Sequence, residues 1–429
     1  MHGDTIMALS SGSLPSGVAI IRLSGPKVRE ALSFLAGTLP EPRKMVLRRI
    51  GQERQLDQGL VAFFPGPHSF TGEDCAELHV HGSPAGVKAI LRALGEQGLR
   101  LAEAGEFTRR AFENGKLDLV AVEGLGDLLS AETEKQRQQA LARYDGRLTQ
   151  DIDAWRNALL DLRAGIEARL DFSDEGDVAN DLPPDFQIKL AALKTDLQDA
   201  LGRIDSGRIV REGIRVALAG APNAGKSSLI NALSRSDVAI VSDEAGTTRD
   251  VREVPLDIGG QLFVLLDLAG LRETESRAEA EGIRRAERAI ADADIVLWLE
   301  APDTDPVERP LINGQILVVG TKTDLLPSAS ADINLSAQTG QGLDSLVDRL
   351  RTIGEKLAGG EPALVSHERD RIALQDAISA VLQAEHQLHN WELAAESLRQ
   401  ASASLERLIG RLDAEKVLDR LFASFCIGK

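Results

Sequence analysis

The spacing of apolar residues changes along the chain and divides it into regions of different structure. Residues 5 to about 116 contain short runs typical of strands, such as GVAIIRLSG and AELHVHG, separated by Gly and Pro turns. One helical stretch, PAGVKAILRALGEQG, lies among them. We therefore predict a small α/β domain here. From Lys116 to about Ala168 apolar residues recur at every third or fourth position, which predicts two long helices.

Residues 214 to about 356 alternate strand-like runs such as IRVALAG with helical runs such as KSSLINALS. This rhythm predicts a parallel, doubly wound sheet. The chain becomes helical again from Arg369, and the helical arms on both sides of the α/β unit carry apolar stripes. We expect the arms to pack together, with the α/β unit inserted in one helical domain. The predicted fold is multidomain α/β plus all-α, with domains at residues 1–116, 117–210, 211–363 and 364–429.

Length and charge narrow the class of protein. The 429 residues exceed the ~250 to 300 at which a single core stops growing, so several domains are expected. The net charge of −17 opposes long-range attraction of nucleic acid, so any RNA contact must be local or shared with a partner. Two cysteines exclude a disulfide framework and suit a reducing cytoplasm. The sequence shows neither a secretory signal nor the run of ~18 apolar residues that a membrane span needs.

A phosphate-binding loop stands at the start of the predicted doubly wound sheet. The segment GAPNAGKS, residues 220–227, fits the P-loop pattern and lies between a predicted strand and a predicted helix. In such a loop backbone N–H groups face the phosphates, Lys226 meets the β- and γ-oxygens, and Ser227 binds Mg²⁺. The expected phosphate-loop residues are Asn223, Ala224, Gly225, Lys226, Ser227 and Ser228.

Two further motifs predict how the γ-phosphate is sensed. GTTRD, residues 246–250, offers Thr248 as a second Mg²⁺ ligand that is held only while the γ-phosphate is present. DLAG, residues 267–270, ends a predicted strand, so Asp267 is placed to reach Mg²⁺ through water. The N–H of Gly270 is placed to meet the γ-phosphate.

The last two motifs select the base. In TKTD, residues 321–324, Asp324 accepts hydrogen bonds from guanine N1–H and the 2-amino group, whereas adenine presents an acceptor at N1. Lys322 lays its stem across the base, and Ala337, which follows Ser336 in LSAQTG, supplies an N–H for the guanine carbonyl. The order of all the motifs predicts a domain that binds GTP rather than ATP.

The residue that activates water is not decided by these motifs. Ras-like enzymes place a glutamine after DxxG, whereas this chain has Leu271, which is unable to orient water. The acids Glu273, Glu275, Glu279 and Glu281 follow, and the residues alone do not choose among them. Asn223, together with carbonyls of SDEAGT, is a candidate holder of a monovalent cation in place of an arginine finger. The alternative is an amide that only stabilises the loop.

Two other groups of residues suggest metal sites, but each lacks a ligand that the metal needs. An EF-hand counted from Asp171 would place Leu182 where the bidentate Glu belongs, so residues 171–182 are interpreted as a solvated loop. His79 and His81 share one strand face with Cys75, which suggests zinc, but no fourth ligand is apparent.

The motifs together resemble one family. GEDCAELHVHG, AGEFTRRAFENGKLDL, GAPNAGKSSLINALS, GTTRD, DLAGLRET and the terminal FCIGK are similar to the tRNA-modification GTPase family MnmE (TrmE), from Asp4 to Lys429. The resemblance implies a folate-binding α/β domain that forms a homodimer, a helical domain, and an inserted Ras-like G domain activated by K⁺-dependent dimerisation. It also implies a flavoprotein partner, MnmG, which carries FAD and NADH, in a heterotetramer. The implied reaction adds an aminomethyl or carboxymethylaminomethyl group at C5 of tRNA uridine 34, using 5-formyl- or 5,10-methylene-tetrahydrofolate.

The resemblance also implies roles for individual residues. Glu279 becomes the water-orienting carboxylate, and Cys426 becomes a residue essential for uridine modification. An alternative for Cys426 is a small apolar residue that plugs the last helix. The implied K⁺ site consists of Asn223, Ser242, Glu244 and Thr247, and the implied folate site of Arg22, Glu77, Lys116 and Lys429.

Three motif positions depart from the family pattern. One is SAQ, residues 336–338, which stands where SAK or SAR is common. Leu268 replaces the usual Thr of DTAG, which we expect to cost little because the backbone and Asp267 do the binding. Thr321 replaces the usual Asn of NKxD, and its shorter side chain is expected to loosen guanine selectivity or the tie to the P-loop.

Two other functions are compatible with a GTP-binding domain. One is a regulatory GTPase of ribosome assembly, although such proteins usually carry a basic RNA-binding module that this acidic chain lacks. The other is a filament-forming structural GTPase, whose turnover would be indifferent to folate and to a flavoprotein.

Overall fold

The computed structural model describes residues 3–171, 182–240, 252–267, 287–305, 307, 309, 314–361, 363–410, 421–422, 425 and 428. Its contacts divide the chain into two compact units. The first comprises Met1–Gly126, Arg143–Leu160 and Leu398–Lys429, and the second comprises Asp127–Ala142 and Asp161–Ser397. Among the described residues no helix is both long enough and apolar enough to cross a bilayer.

The first unit contains a six-stranded sheet in the order β3-β4-β5-β2-β1-β6. Its strands are β1 Ile6–Leu9, β2 Ser16–Ser24, β3 Val46–Ile50, β4 Asp57–Phe64, β5 Cys75–Gly82 and β6 Arg100–Leu101. All pairs are antiparallel except β1 with β6. Helices α1 Val28–Ala36 and α2 Pro84–Glu96 bury apolar residues in the same core as the sheet, and α3 Glu106–Glu113 follows β6. The apolar spacing of the sequence predicted α2 but not α1 and α3, which span few turns.

A fully buried arginine ties α3 to the start of the chain. The Arg110 guanidinium donates to Glu73 Oε2 at 3.0 Å and to Asp4 Oδ1 at 2.9 Å, and it also bonds Glu106 Oε1 at 3.0 Å. Burial of Glu106 favours its neutral form, but hydrogen bonds from Arg100, the Glu103 backbone and Arg110 outweigh it and lower the Glu106 pKa. Breaking such a buried pair leaves an uncompensated charge, so this cluster holds α3 in place.

The helical region after residue 116 differs from the prediction. It contains α4 Leu119–Ser130, α5 Glu134–Tyr144 and α6 Arg147–Asp171, three helices where two were expected, so that count was wrong. The start of α5 is fixed locally, because Gln136 Oε1 accepts hydrogen bonds from the backbone N–H groups of Glu132 and Thr133. Between α5 and α6, Gly146 has a φ of 80°, a conformation that favours glycine and ends a helix.

The α/β part of the second unit contains a sheet in the order β12-β11-β10-β7-β9-β8. Its strands are β7 Ile214–Gly220, β8 Arg252–Ile258, β9 Gln261–Asp267, β10 Ile295–Glu300, β11 Gln315–Gly320 and β12 Ile333–Asn334, with helices α9 Lys226–Leu233 and α10 Leu343–Ala358. The strand order and the parallel pairing confirm the doubly wound P-loop fold. One strand departs from it. β8 pairs antiparallel with β9 through Gly259 and Gly260, whose φ values of 65° and 80° suit a tight hairpin turn.

Helices from both sides of this α/β part pack together. Helix α7 Phe186–Gly202 contacts α11 Glu368–His386, and Lys194 Nζ on α7 lies 2.7 Å from Glu385 Oε2 on α11. The apolar residues Leu190, Leu193 and Leu197 of α7 are buried, a spacing of three and four that forms one stripe. The expected packing of the helical arms is therefore observed. Helices α8 Ile204–Glu212 and α12 Trp391–Leu408 complete the described helical part.

A glutamine on α5 joins the two connections through which the chain enters and leaves the α/β part. Gln139 Nε2 donates to the carbonyl of Gly207 at 3.1 Å and to that of Ala363 at 2.6 Å, and the side chain is 2% exposed. Its neighbour Gln136 donates to the carbonyl of Arg211 at 2.9 Å. Without these buried hydrogen bonds, the backbone carbonyl oxygens would be removed from water and would have no donor.

Candidate functional site: a nucleotide site and an N-terminal polar pocket

The phosphate loop runs from the end of β7 to the start of α9. Gly220 has a φ of 136°, and a Cβ there would lie 2.4 Å from the carbonyl oxygen of Leu299, so only glycine fits. Lys226 Nζ donates to the carbonyls of Gly220 at 3.0 Å and Ala221 at 2.8 Å. Ser227 and Ser228 lie on the first turn of α9, and both are exposed. The loop therefore offers a helix N-terminus, a lysine and two hydroxyls to a phosphate chain.

The Thr321 hydroxyl ties the base-recognition loop to the phosphate loop. Its Oγ1 donates to the carbonyl of Ala224 at 2.8 Å and lies 3.2 Å from the carbonyl oxygen of Glu300. The side chain is 4% exposed, so these bonds are shielded from water. Threonine at this position thus keeps a direct hydrogen bond to the P-loop despite its shorter side chain, and the expected loosening of that tie is not observed.

The remaining base-recognition residues lie at the carboxyl end of the same sheet. Lys322 has a φ of 54°, and its Nζ is 2.8 Å and 2.6 Å from the two carboxylate oxygens of Asp303. The hydrogen bond from Lys322 lowers the pKa of Asp303. Asp324 is exposed, and its loop is joined to the Ser336–Ala337 loop because Thr323 N donates to the carbonyl of Leu335 at 3.3 Å.

Asp303 belongs to no motif that the sequence analysis used. It follows β10, the strand between β7 and β11, and the exit loops of neighbouring parallel strands lie at one sheet edge. An acid just after a strand of the predicted sheet was the signal available. Its position beside a base-loop lysine becomes apparent only once the strand order is known.

The γ-phosphate and cation residues are only partly described. Asp267 ends β9, and β9 pairs with β7, so Asp267 lies beside the start of the P-loop. A carboxylate and the Ser227 hydroxyl are hard oxygen donors of the type Mg²⁺ prefers. Asn223 has a φ of 63°, a left-handed conformation that asparagine tolerates better than most residues. Outside the described residues lie Ser242, Glu244, Thr247, Thr248, Gly270, Leu271, Glu273, Glu275, Glu279 and Glu281, and also most of the acidic loop 171–182.

In the first unit the structure pairs two of the four predicted folate residues. Arg22 on β2 and Glu77 on β5 are cross-strand partners, and Arg22 Nε and Nη2 lie 3.2 and 3.0 Å from Glu77 Oε1. The other carboxylate oxygen lies 3.2 Å from His79 Nε2. Burial favours the neutral form of Glu77, but hydrogen bonding by His79 and the charge of Arg22 outweigh it and lower its pKa. Glu77 is therefore a carboxylate, able to accept hydrogen bonds from an amino-pyrimidine edge.

Two aromatic rings support this ion pair. The Arg22 guanidinium carbon lies 5.7 Å from the centroid of Phe70 and 5.8 Å from that of Phe107. Such distances permit cation–π attraction and limit the positions of the guanidinium. Neither ring was predicted from the sequence, because no spacing rule connects them to Arg22.

The other two predicted folate residues are placed differently. Lys116 is exposed, and its stem lies beside the Gly72 turn, where a Cβ on Gly72 would be 3.2 Å from Lys116 Cε. The Gly72 turn is held to the end of α3, since Asn114 Nδ2 donates to the carbonyl of Thr71 at 2.7 Å. Lys429 and Cys426 lie outside the described residues.

Gly428 nevertheless reaches the group of Arg22, Glu77, Phe70 and Phe107, which we call the N-terminal pocket. Ser10 Oγ donates to the carbonyl of Gly428 at 2.7 Å, and Arg22 Nη1 lies 3.4 Å from the same oxygen. The structure therefore places Gly428 beside the Arg22–Glu77 pair. The folate site of Arg22, Glu77, Lys116 and Lys429 that the resemblance implies stays a prediction, because Lys429 lies outside the described residues.

The three residues that suggested zinc have other partners. Cys75 is buried, with its sulfur 3.1 Å from Thr71 Oγ1, and His81 Nδ1 lies 2.7 Å from Asp57 Oδ1. His79 contacts Glu77, as described above. Within the part of the chain that the structure describes, no three or more His, Cys, Asp or Glu residues are grouped to hold a metal ion.

Two family models match successive parts of this chain. Residues 5–116 match the family model "GTP-binding protein TrmE N-terminus", and residues 119–426 match the model "MnmE helical domain". The tRNA modification GTPase MnmE of Azorhizobium caulinodans is 50% identical over 434 residues, covering 99% of each chain. That of Rhizobium etli is 48% identical over 442 residues, covering 100% of each. A solved structure of an Aquifex aeolicus Era variant bound to GDP and AlF4⁻ has 25% identity and a TM-score of 0.27, covering 40% of this chain and 65% of that one, too distant to support an argument.

Proposed function

Because the chain belongs to the MnmE family of tRNA-modification GTPases, we propose that it hydrolyses GTP to GDP and phosphate and couples this turnover to modification of C5 of tRNA uridine 34. The product is an aminomethyl-type group, and the reaction is shared with the flavoprotein MnmG, which carries FAD and NADH, in the cytoplasm where tRNA is found. The observation that carries the GTPase part is the Thr321–Ala224 hydrogen bond. It joins the loop that would read a guanine to the loop that would hold phosphates.

Each loop residue has a defined task in this proposal. Backbone N–H groups of the P-loop bind the β-phosphate, Lys226 moves from its carbonyl partners to the β- and γ-oxygens, and Asp324 selects guanine. Ser227 and Thr248 would hold Mg²⁺ directly and Asp267 through water, and the ion's contribution there is to neutralise phosphate charge. Lys322 covers the base while Asp303 limits the directions its amine takes.

The hydrolysis step needs a positive charge and an oriented water. We assign the charge to K⁺, held by Asn223, Ser242, Glu244 and Thr247, and the water to Glu279, in a dimer of G domains. Support for this comes from the family and from Asn223, whose amide stands in an exposed, left-handed part of the P-loop. An amide oxygen is a suitable ligand for an alkali cation.

The modification step is assigned to the N-terminal pocket. Glu77 would accept from the amino-pyrimidinone edge of a tetrahydrofolate, and Lys116 and Lys429 would hold its glutamate tail. Arg22 keeps Glu77 ionised and aligned. The 5-formyl or 5,10-methylene form would supply the one-carbon unit, and Cys426 would take part in the chemistry at the uridine ring. In the family this domain forms a homodimer, and we propose the same here.

Two measurements test the proposal separately. GTP hydrolysis should be much faster in KCl than in NaCl at equal ionic strength, and equal rates would remove the cation mechanism. Nucleoside mass spectrometry of tRNA from cells lacking this protein should show loss of the uridine 34 modification. A normal nucleoside profile together with active GTP hydrolysis would instead favour a regulatory GTPase of ribosome assembly.

A further inference from the structure

We propose that Ser10 is a positioning residue that clamps the carboxyl-terminal tail, represented by its described residues 421, 422, 425 and 428, through a hydrogen bond to Gly428. The clamp itself is a structural statement about Ser10 and Gly428. Its consequence for uridine modification rests on the function proposed above.

Ser10 is held rigidly by its own backbone. It directly follows β1, and its N–H donates to the carbonyl of Ile20 on β2 at 2.7 Å, which extends the β1–β2 pairing by one residue. The Ser10 hydroxyl then donates to the carbonyl of Gly428 at 2.7 Å. The sheet therefore holds the Ser10 hydroxyl in place. The hydrogen bond from this hydroxyl fixes the position of Gly428 relative to the sheet.

The close approach of Gly428 to β1 is a second, independent observation. Gly428 has a φ of 99°, and a Cβ there would lie 2.7 Å from the carbonyl oxygen of Leu9 and 2.9 Å from Ser10 Cα. Both the backbone conformation and the available space require glycine. Gly428 thus lies against the end of β1 through its backbone as well as through the Ser10 side-chain contact.

Arg22 is a weaker second contact that leaves Ser10 as the main tie. Its Nη1 lies 3.4 Å from the Gly428 oxygen, while its Nε and Nη2 are already engaged by Glu77. A ligand that draws on the Arg22–Glu77 pair would compete for the arginine and leave the Ser10 bond intact. The Ser10 hydrogen bond therefore holds Gly428 in place whether or not a ligand is bound in the N-terminal pocket.

The tail has another anchor farther up the chain. Phe422 is fully buried with Val122 and Phe425, and a Cβ on Gly105 would lie 2.8 Å from the Phe422 carbonyl oxygen. Arg109 lies over the Phe422 ring at 5.1 Å. Cys426 lies along the chain between these aromatic residues and the Gly428 clamp. Fixing both sides of a short segment reduces the conformations open to a reactive residue within it.

The clamp predicts a specific effect on the reaction. Loss of one hydrogen bond should lower the kcat of uridine modification by Ser10→Ala roughly two- to tenfold. GTP hydrolysis should be unchanged, since Ser10 belongs to the other structural unit from the P-loop. The KM for tetrahydrofolate should move less than kcat, and Ser10→Thr, which keeps the hydroxyl, should restore the rate.

Carboxypeptidase B treatment of the full-length protein tests the clamp without relying on activity. The enzyme removes terminal Lys429, and intact mass spectrometry follows the loss over time. Ser10→Ala should accelerate release roughly two- to tenfold, because the tail leaves β1 more often. Ser10→Thr should behave like the parent protein. Ser11→Ala is the matched control, because the Ser11 hydroxyl accepts from Ile20 N in the same hairpin at 3.1 Å.

Five outcomes decide the proposal. Faster release from Ser10→Ala alone supports the clamp, whereas release equal to the parent's, or equally fast from Ser11→Ala, overturns it. Faster release with normal modification kinetics overturns the catalytic consequence. Faster release when even the parent protein modifies no uridine supports the clamp and rejects the proposed function. Thermal unfolding of each variant verifies that the comparison is between folded proteins.

Discussion

Replacing Thr321 by valine tests whether the hydrogen bond between the two nucleotide loops matters for binding. Valine has nearly the shape of threonine but lacks the hydroxyl. In Thr321 this hydroxyl lies 2.8 Å from the carbonyl oxygen of Ala224, and the residue is 4% exposed. Leaving a buried acceptor without its donor costs about 1–3 kcal/mol. Since guanine and phosphates must be engaged together, we expect that cost to appear in the nucleotide-bound state, as a loss of GTP and GDP affinity of roughly 5- to 150-fold.

Displacement of a fluorescent GDP analogue in a stopped-flow instrument measures this loss, mainly as faster dissociation. Thr321→Asn is the control, because asparagine is the usual residue of this motif and provides an amide donor. We expect it to bind nucleotide about as well as the parent. The reasoning is refuted if Thr321→Val is folded by circular dichroism and releases the analogue at the parent rate.

The other predictions concern stability and the tail. Gln139→Leu leaves two buried carbonyl oxygens without a hydrogen-bond donor, and it should lower the free energy of unfolding in urea by about 2–4 kcal/mol. Gln138→Ala, at an exposed position, should change this free energy little. Glu77 has a lowered folded-state pKa, so its stabilising contribution is full above its ordinary pKa of 4.5 and is lost as pH falls through the folded value. In Glu77→Gln, the free energy of unfolding measured in urea should therefore fall less steeply as the pH is lowered through the acid range. An unchanged dependence on pH in that range would contradict the assignment. Gly428→Ala should release Lys429 to carboxypeptidase B faster than Ser10→Ala, because both the backbone and β1 resist a Cβ; a slower release would contradict the close approach to β1.

Secondary structure and loop chemistry were largely readable from the chain where they depend on near neighbours. The run IRVALAG followed by GAPNAGKS predicted β7, the P-loop and α9, because a buried parallel strand is continuously apolar and a phosphate loop needs its glycines at set places. Short elements such as α1 and α3 were missed, since two turns carry too few apolar positions to show a period. The break before α6 was also missed, although Gly146 marked it.

The residues around the sites were less predictable than the motifs themselves. No spacing along the chain connects Asp303 with Lys322, or Phe70 and Phe107 with Arg22, because these neighbours come from other strands, helices and loops. The tie between Thr321 and the P-loop was misjudged for a similar reason, whereas the effect of Thr321 on guanine selectivity stays a prediction. Side-chain length suggested a loose contact, and only the distance between the two loops shows that a hydroxyl spans it.

The sequence by itself determined the division into α/β and helical regions, the nucleotide motifs and the family, because each depends on residues within a few turns of one another. Only the tertiary structure decided that Gly428 lies on Ser10, 418 residues away, that β8 runs antiparallel, and that Gln139 joins the two connections of the α/β part. Local backbone geometry sets the first group of features. The second depends on which distant surfaces bury apolar area and pair polar groups best, and no short stretch of sequence contains that information.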